Sequence, residues 1–482
     1  MGGASHFETR SSNKTSGQFA ESPSASPKET INFFEDGGKI VAINPYSRQF
    51  FGPFSWLSLL LNDIYSLPYM GYILGHKKDF DTIIEDLETY TKDNNTSKDE
   101  NLNNNINLSD IQRGTSILQK NDLTQSIRLV LPKKDVIWKL VNQFFLVVYP
   151  FFPLVEESDF KKHLEEIIGE ENYKDIEVAD FKIRKRVDYA VIGLLLIFLR
   201  IAYLSLSSKI VDDEPKEQKS SFDSEKQYLL SNPVKIEAFT VAKYCFSQFD
   251  YFNCIDIQVL QLVLFIRIYY IYAPEEGDDY DGKVSRILNS TIIQMAYSMG
   301  LHRDPGNLPY NFNNIKLNNN LNRKIWHFIV CLDYNSSILS GDPLSTKIIP
   351  SDTNIPYFSP DYESLTHKNV ENEIVEVMAD NKIRLSMEKR VIDIVLDTEE
   401  PADVKQLLAS LADLESLSKR DVVSANQCHE RDIISMKRMI EVKGNLQLRF
   451  WLSSIFFKLF VHYEESKNND MICFYSKKIL NI

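Results

Sequence analysis

The stretch KKDVIWKLVNQFFLVVYPFFPLV, residues 133–155, decides the fold. Ile137, Leu140, Val141, Phe144 and Val148 recur at i, i+3, i+4 intervals, which gathers them on one face of a helix. Pro150 and Pro153 end it, because proline has no N–H to donate and its ring clashes with the turn before it. The helical period continues through nearly all that follows. Residues 188–205 are apolar on every side and are expected in the middle of a helical stack. Residues 255–272 repeat the theme, with Asp256, Gln258, Gln261 and Arg267 as their few polar positions.

The best delimited helix follows. Asp281 is a suitable N-cap, and Val284, Ile287, Leu288, Met295, Ala296 and Met299 form its expected buried stripe. Gly300 then stands where a left-handed residue closes a helix, with apolar Leu301 after it. Another helix is expected over 322–340, closed by Gly341-Asp342-Pro343. Upstream, INFFEDGGKIVAINPYSRQFFGPFSWLSLLL reads as an extended piece, a turn at Gly52-Pro53 and a short helix from Phe54. With strand signals so sparse, the fold class is all-α, a large multi-helix array packed around its long apolar members.

Composition narrows the function. A net charge of −13 opposes phosphate binding by this segment itself, since nucleic-acid surfaces draw affinity from basic stripes that displace counterions. The five cysteines (Cys245, Cys254, Cys331, Cys428, Cys473) are scattered and lack the paired spacing of a metal knuckle, which suits a reducing compartment. No membrane span is expected: the run YAVIGLLLIFL stops at Arg200, too short for a bilayer core of about 30 Å. In EEGDDYDG, setting Gly282 at the sixth position of a calcium loop puts Gly277 at the first and Leu288 at the twelfth, where carboxylates are needed. His302 and His327 lack neighbours at ligand spacing, and no nucleophile elbow or P-loop is present, so an enzyme is not expected. Aromatic crowding at Phe144, Phe145, Tyr149, Phe151 and Phe152, and at Tyr269, Tyr270 and Tyr272, fits either plain core packing or a lipophilic pocket between helices.

Two segments carry a family likeness. AYSMGLHRDPGN (296–307) and NRKIWHFIVCLDYNSSILSGDP (322–343) resemble the signature of the regulatory region of fungal zinc-cluster transcription factors. The matching positions are Gly300, Leu301, His302, Arg303 and Asp304, then Arg323, Lys324 and Trp326, then Asp333 and Ser336, then Gly341 and Pro343. INFFEDGG, GPFSWLSLL, YLLSNP and APEEGDDYDG are similar to the branch of yeast multidrug-resistance regulators that control drug-efflux genes. Asp342 departs from the Arg of many relatives, and His327 from a second Trp.

Composition, periodicity and the resemblance together divide the chain into a disordered segment (1–30), a short apolar segment packing on the core (31–78), a disordered Asn/Asp-rich linker (79–125), the regulatory domain (126–358) and a helical continuation (359–482), which is read as cut short. It implies a nuclear protein whose core answers to a small lipophilic or xenobiotic ligand, or to transcription co-regulators, and it leaves a homodimer open. These residues contain no six-cysteine cluster and no basic linker. Zinc and DNA contact are therefore expected only in a head that lies outside them, and no cofactor is expected within them. The alternatives are a headless paralogue acting through protein–protein interaction and a helical scaffold unrelated to transcription. The corner itself is expected to be structural, with Arg303 held against the next helix and paired with Asp333.

Overall fold

The computed structural model describes residues 29–35, 39–44, 47–63, 120–178, 181–206, 221–250, 256–275, 283–307, 319–357, 368–426 and 436–482. The segments expected to be disordered at 1–28 and 79–119, and the expected N-cap Asp281, lie outside these residues. Helices make up most of the described chain, as an all-α array requires.

At the N-terminal end, β1 (Thr30–Ile31), β2 (Lys39–Asn44) and β3 (Ser47–Phe51) precede α1 (Trp56–Leu61). β2 and β3 pair as an antiparallel hairpin. Ser55 caps α1 by accepting from the Ser58 amide at 3.2 Å, so the expected order of extended piece, turn and short helix holds. The body follows as α2 (Lys120–Val130), α3 (Lys134–Gln143), α4 (Glu157–Ile168), α5 (Asp188–Leu206), α6 (Ser221–Leu230), α7 (Glu237–Phe246), α8 (Ile257–Tyr272), α9 (Lys283–Ser298) and α10 (Asn319–Ser340). It closes with α11 (Lys368–Val395), β4 (Ala402–Asp403), α12 (Val404–Asn426), α13 (Met436–Glu465) and α14 (Asn469–Leu480).

Three expectations need correction. α2 begins at Lys120, inside the stretch read as linker, because Leu123 and Ile127 at i, i+4 give it an apolar edge that packs with no exposure. The helix from Lys134 does not run evenly to Pro150. It widens into a π turn at Phe144–Val148 and tightens into a 3₁₀ turn at Tyr149–Phe151, the local adjustment a chain makes as proline removes a donor. Its stripe stays buried nonetheless: Ile137, Leu140, Val141, Phe144 and Val148 are all in the core. In α9, Leu288, Met295 and Ala296 of the expected stripe are buried, but Ile287 is 39% exposed while Ser285, Asn289, Ile292 and Ile293 are buried. The helix is rotated because a polar seam fixes it: buried Arg267 Nε donates to Asn289 Oδ1 at 2.9 Å, and Asn289 Nδ2 donates to Ser336 Oγ.

Two apolar cores result. The first is built on α3, α5, α7, α8 and α9. α5 is long and apolar enough to cross a bilayer, yet 72% of its most apolar window is buried inside the fold. Its one interior charge, Arg200, is neutralised by Glu275 at 2.8 Å. The second core joins α11 to α14 with Ile31, Phe33 and Phe54 from the N-terminal segment. β1 pairs antiparallel with β4, and the Tyr463 hydroxyl donates to Glu29 Oε1 at 2.7 Å, which stitches the start of the described chain to its end. α10 serves both cores, with Leu321, Ile325, Trp326 and Ile329 in the first and Tyr334 and Ile338 in the second.

Candidate functional site

The signature residues lie in two places: Gly300–Asp304 with Arg323 and Trp326 at the end of α9 and the start of α10, and Asp333, Ser336, Gly341 and Pro343 toward the end of α10. Gly300 has φ +75°, its amide bonds Tyr297 O at 2.9 Å, and the Leu301 amide reaches back to Ala296 O at 3.0 Å. This is a Schellman closure, in which the left-handed residue lets two terminal carbonyls find donors. Leu301 is buried just beyond it. His302 sits half-buried with Tyr297 at 4.6 Å and Trp326 at 6.1 Å between ring centroids.

The expected Arg303–Asp333 pair does not form. Arg303 is 54% exposed and pairs with Asp352 at 3.0 Å. Asp333 is buried further along α10, where its carboxylate accepts from the Thr346 amide at 2.8 Å and the Thr346 hydroxyl at 2.7 Å. Burial pushes that carboxyl above its usual range. The buried partner is the next residue: Asp304 accepts from Arg323 Nε at 2.9 Å, Arg323 Nη2 at 2.8 Å, the Gly306 amide at 2.8 Å and the Asn354 amide at 2.9 Å. Arg323 above all holds the Asp304 carboxyl far below the ordinary carboxylate range. Sequence order favoured Arg303 because it is the cation of the motif, but the tight turn aims its side chain outward.

One step along α10, Lys324 is fully buried and ion-paired with buried Glu371 of α11. Glu371 was not singled out in the sequence, because nothing local marks a partner 47 residues away. At the far end of α10, Gly341 (φ +70°) turns the chain before Pro343, and Arg286 of α9 makes a two-pronged ion pair with Asp342. Arg286 Nη1 also donates to Phe50 O at 2.7 Å. Gly52 packs directly on the backbone of Ser340 and Gly341, so a side chain there would collide with the Ser340 carbonyl. The departure at Asp342 thus has a structural partner: it locks the N-terminal hairpin, α9 and the α10 turn together.

The aromatic groups form two separate stacks. Phe144 lies flat on Phe198 at 3.7 Å, with Phe145 edge-on to both and Tyr149 beside Phe145. Tyr269 lies flat on Phe239 at 3.8 Å, with Tyr270 edge-on to the same ring. Phe144, Tyr149 and Tyr269 have no solvent exposure. A distinct cavity of about 110 Å³ opens where the two cores meet, lined by Phe151, Tyr272, Phe328, Cys331, Met378 and Ile440 together with Arg384 and Lys443. Among the described residues no cluster of three metal-ligating side chains occurs.

Residues 141–429 match the fungal specific transcription factor domain. The chain is 31% identical, over 95% of its own length and 46% of the relative's, to Multidrug resistance regulator 1 of Candida albicans. It is 25% identical over 39% of its length, and 18% of the relative's, to Oleate-activated transcription factor 1 of Saccharomyces cerevisiae. It is 22% identical over 50% of its length, and 24% of the relative's, to Heme-responsive zinc finger transcription factor HAP1 of Saccharomyces cerevisiae. The chain spans less than half the length of each of these relatives. Residues 300–304 and 323–343 lie inside the matched span, and a helical body with this corner and this match belongs to the fungal specific transcription factor domain family.

Proposed function

We propose that this chain is the regulatory core of a nuclear fungal transcription factor, controlling drug-efflux or stress genes in answer to a small lipophilic compound or a protein partner. DNA contact and zinc are assigned to a head outside these residues, and co-regulators to surfaces of the helical body. The observation that carries the reading is the junction between the two cores. α10 runs through both, and a mostly apolar cavity sits at their seam. A ligand there touches both bodies at once, so it favours one arrangement of them over another, which is the requirement for a two-state switch. The signature corner serves this arrangement as architecture: Ser336 and the Asp304–Arg323 pair fix how α9 and the turn after it sit on α10, Asp333 anchors the turn after α10, and none needs to touch a ligand.

Thermal melting of the purified chain against a panel of neutral, lipophilic drug-like compounds tests the reading. A compound that binds only the folded state stabilises it by about 2.7 kcal/mol at a hundred times its Kd. A dose-dependent upward shift with some members of the panel is expected. Flat curves across the panel would remove the small-molecule arm and leave only the partner-responsive one.

A further inference from the structure

The seam cavity contains an unusual cation. Lys443 of α13 is half-buried, and its ammonium lies 4.4 Å from the centroid of Phe152, 4.7 Å from Tyr272 and 5.9 Å from Phe151. Three ring faces replace part of its lost hydration but bring no negative charge. Among the described residues no carboxylate lines the cavity, and the second cation there, Arg384, already faces Glu388 at 3.3 Å. Burial draws the Lys443 ammonium down to about 8, so near neutral pH most of the population still carries its charge. A desolvated cation without a counter-ion is costly to hold and gains from any anion that reaches it. The rest of the wall selects the anion: Phe328, Met378, Ile440 and Cys331 give it an apolar face, Asn335, Asn381 and Gln447 are its neutral polar members, and the space of about 110 Å³ is on the scale of one aromatic ring rather than of a long chain.

The geometry points to a binding site for a small apolar monoanion, an aromatic weak acid, whose ring lies between Phe328, Met378 and Ile440 and whose carboxylate accepts from Lys443 Nζ. This rests on the reading of the chain as a ligand-responsive core, and it names the chemical class of one ligand. Because Lys443 comes from α13 while the rings that cage it come from the 3₁₀ turn after α3, the residue that follows it and the end of α8, the cation that receives the anion is positioned from both sides of the seam.

Isothermal titration of the full chain at neutral pH with benzoate, and with benzamide as its neutral isostere, is the test. A charge-assisted hydrogen bond at a desolvated site gives benzoate an affinity on the order of tenfold to a hundredfold above benzamide. Lys443→Met keeps the length of the side chain and is expected to bring benzoate down to the benzamide level with the melting temperature and circular dichroism preserved. Cys331→Leu puts bulk into the cavity with Lys443 intact and is expected to weaken both probes, which keeps the test decisive should Lys443→Met fail to fold. Equal affinities for the two probes, no binding of either, an undiminished benzoate preference in Lys443→Met, or undiminished affinity for both probes in Cys331→Leu would overturn the site. Melting shifts with neutral compounds that persist in that case would leave the regulatory reading standing without this ligand.

Discussion

Asp304→Asn is the sharpest perturbation of the corner. Each Asp304 oxygen accepts two bonds: Oδ1 from Arg323 Nη2 and the Gly306 amide, Oδ2 from Arg323 Nε and the Asn354 amide. Whichever way an asparagine is turned, its NH₂ faces one guanidinium N–H and one backbone N–H. The substitution also strips the counter-charge from Arg323, whose side chain is 6% exposed. Breaking a buried pair on one side costs about 3–5 kcal/mol, mostly the penalty of the stranded partner. Urea unfolding followed by circular dichroism reads this as a lower midpoint at unchanged slope. Replacing both partners, Asp304→Asn with Arg323→Met, should recover part of the loss. The pH dependence gives a second check. The folded-state pKa of Asp304 is depressed, so its contribution is complete above the unfolded carboxylate value of about 3.9 and fades as pH falls through the folded value. The gap between wild type and Asp304→Asn should therefore be constant from pH 7 down to about pH 5 and narrow below about pH 4. An Asp304→Asn midpoint within about 1 kcal/mol of wild type would refute the reasoning, since that is the size of an ordinary surface substitution.

Three further outcomes follow from the same geometry. Gly300→Ala meets no neighbouring atom within 4 Å, so only the left-handed backbone opposes it; a loss of about 1–2 kcal/mol in urea unfolding is expected, smaller for Gly300→Asn. Lys324→Met and Glu371→Leu should each destabilise strongly in thermal unfolding, while the double variant should melt near wild type or above it, because removing both buried charges also removes their desolvation cost. Asp342→Arg turns the clamp on Arg286 into a repulsion, so limited proteolysis should cut sooner around residues 39–51, with the helical body unaffected.

The long helices were legible because each is dictated by its own residues. α5 and α8 are apolar all round, and α10 is framed by Gly300 before it and Gly341 after it. The closure at Gly300 was legible for the same reason, since a left-handed turn is a local requirement. What escaped the sequence is long-range. The rotation of α9 is set by Arg267 and Ser336, which lie on two other helices. Asp304 outranks Arg303 because Arg323 and the Asn354 amide converge on it, and neither position reveals that in isolation. The Lys443 cage draws on residues 151, 152 and 272, so no stretch of sequence contains its pattern. The aromatic crowding at Phe144 and at Tyr269, which fits core packing or a pocket in sequence, takes the form of two stacks on different partners, Phe198 and Phe239.

The central claim, that this helical body restrains or releases an attached activator, is most directly tested by inserting residues 1–482 between a heterologous DNA-binding domain and an activation segment and reading reporter output in yeast. A restraining role predicts low basal output that rises when a compound from the melting panel is added, and high constitutive output when the insert is omitted. Equal output with and without the insert, unmoved by every compound that shifts the melting curve, would contradict it.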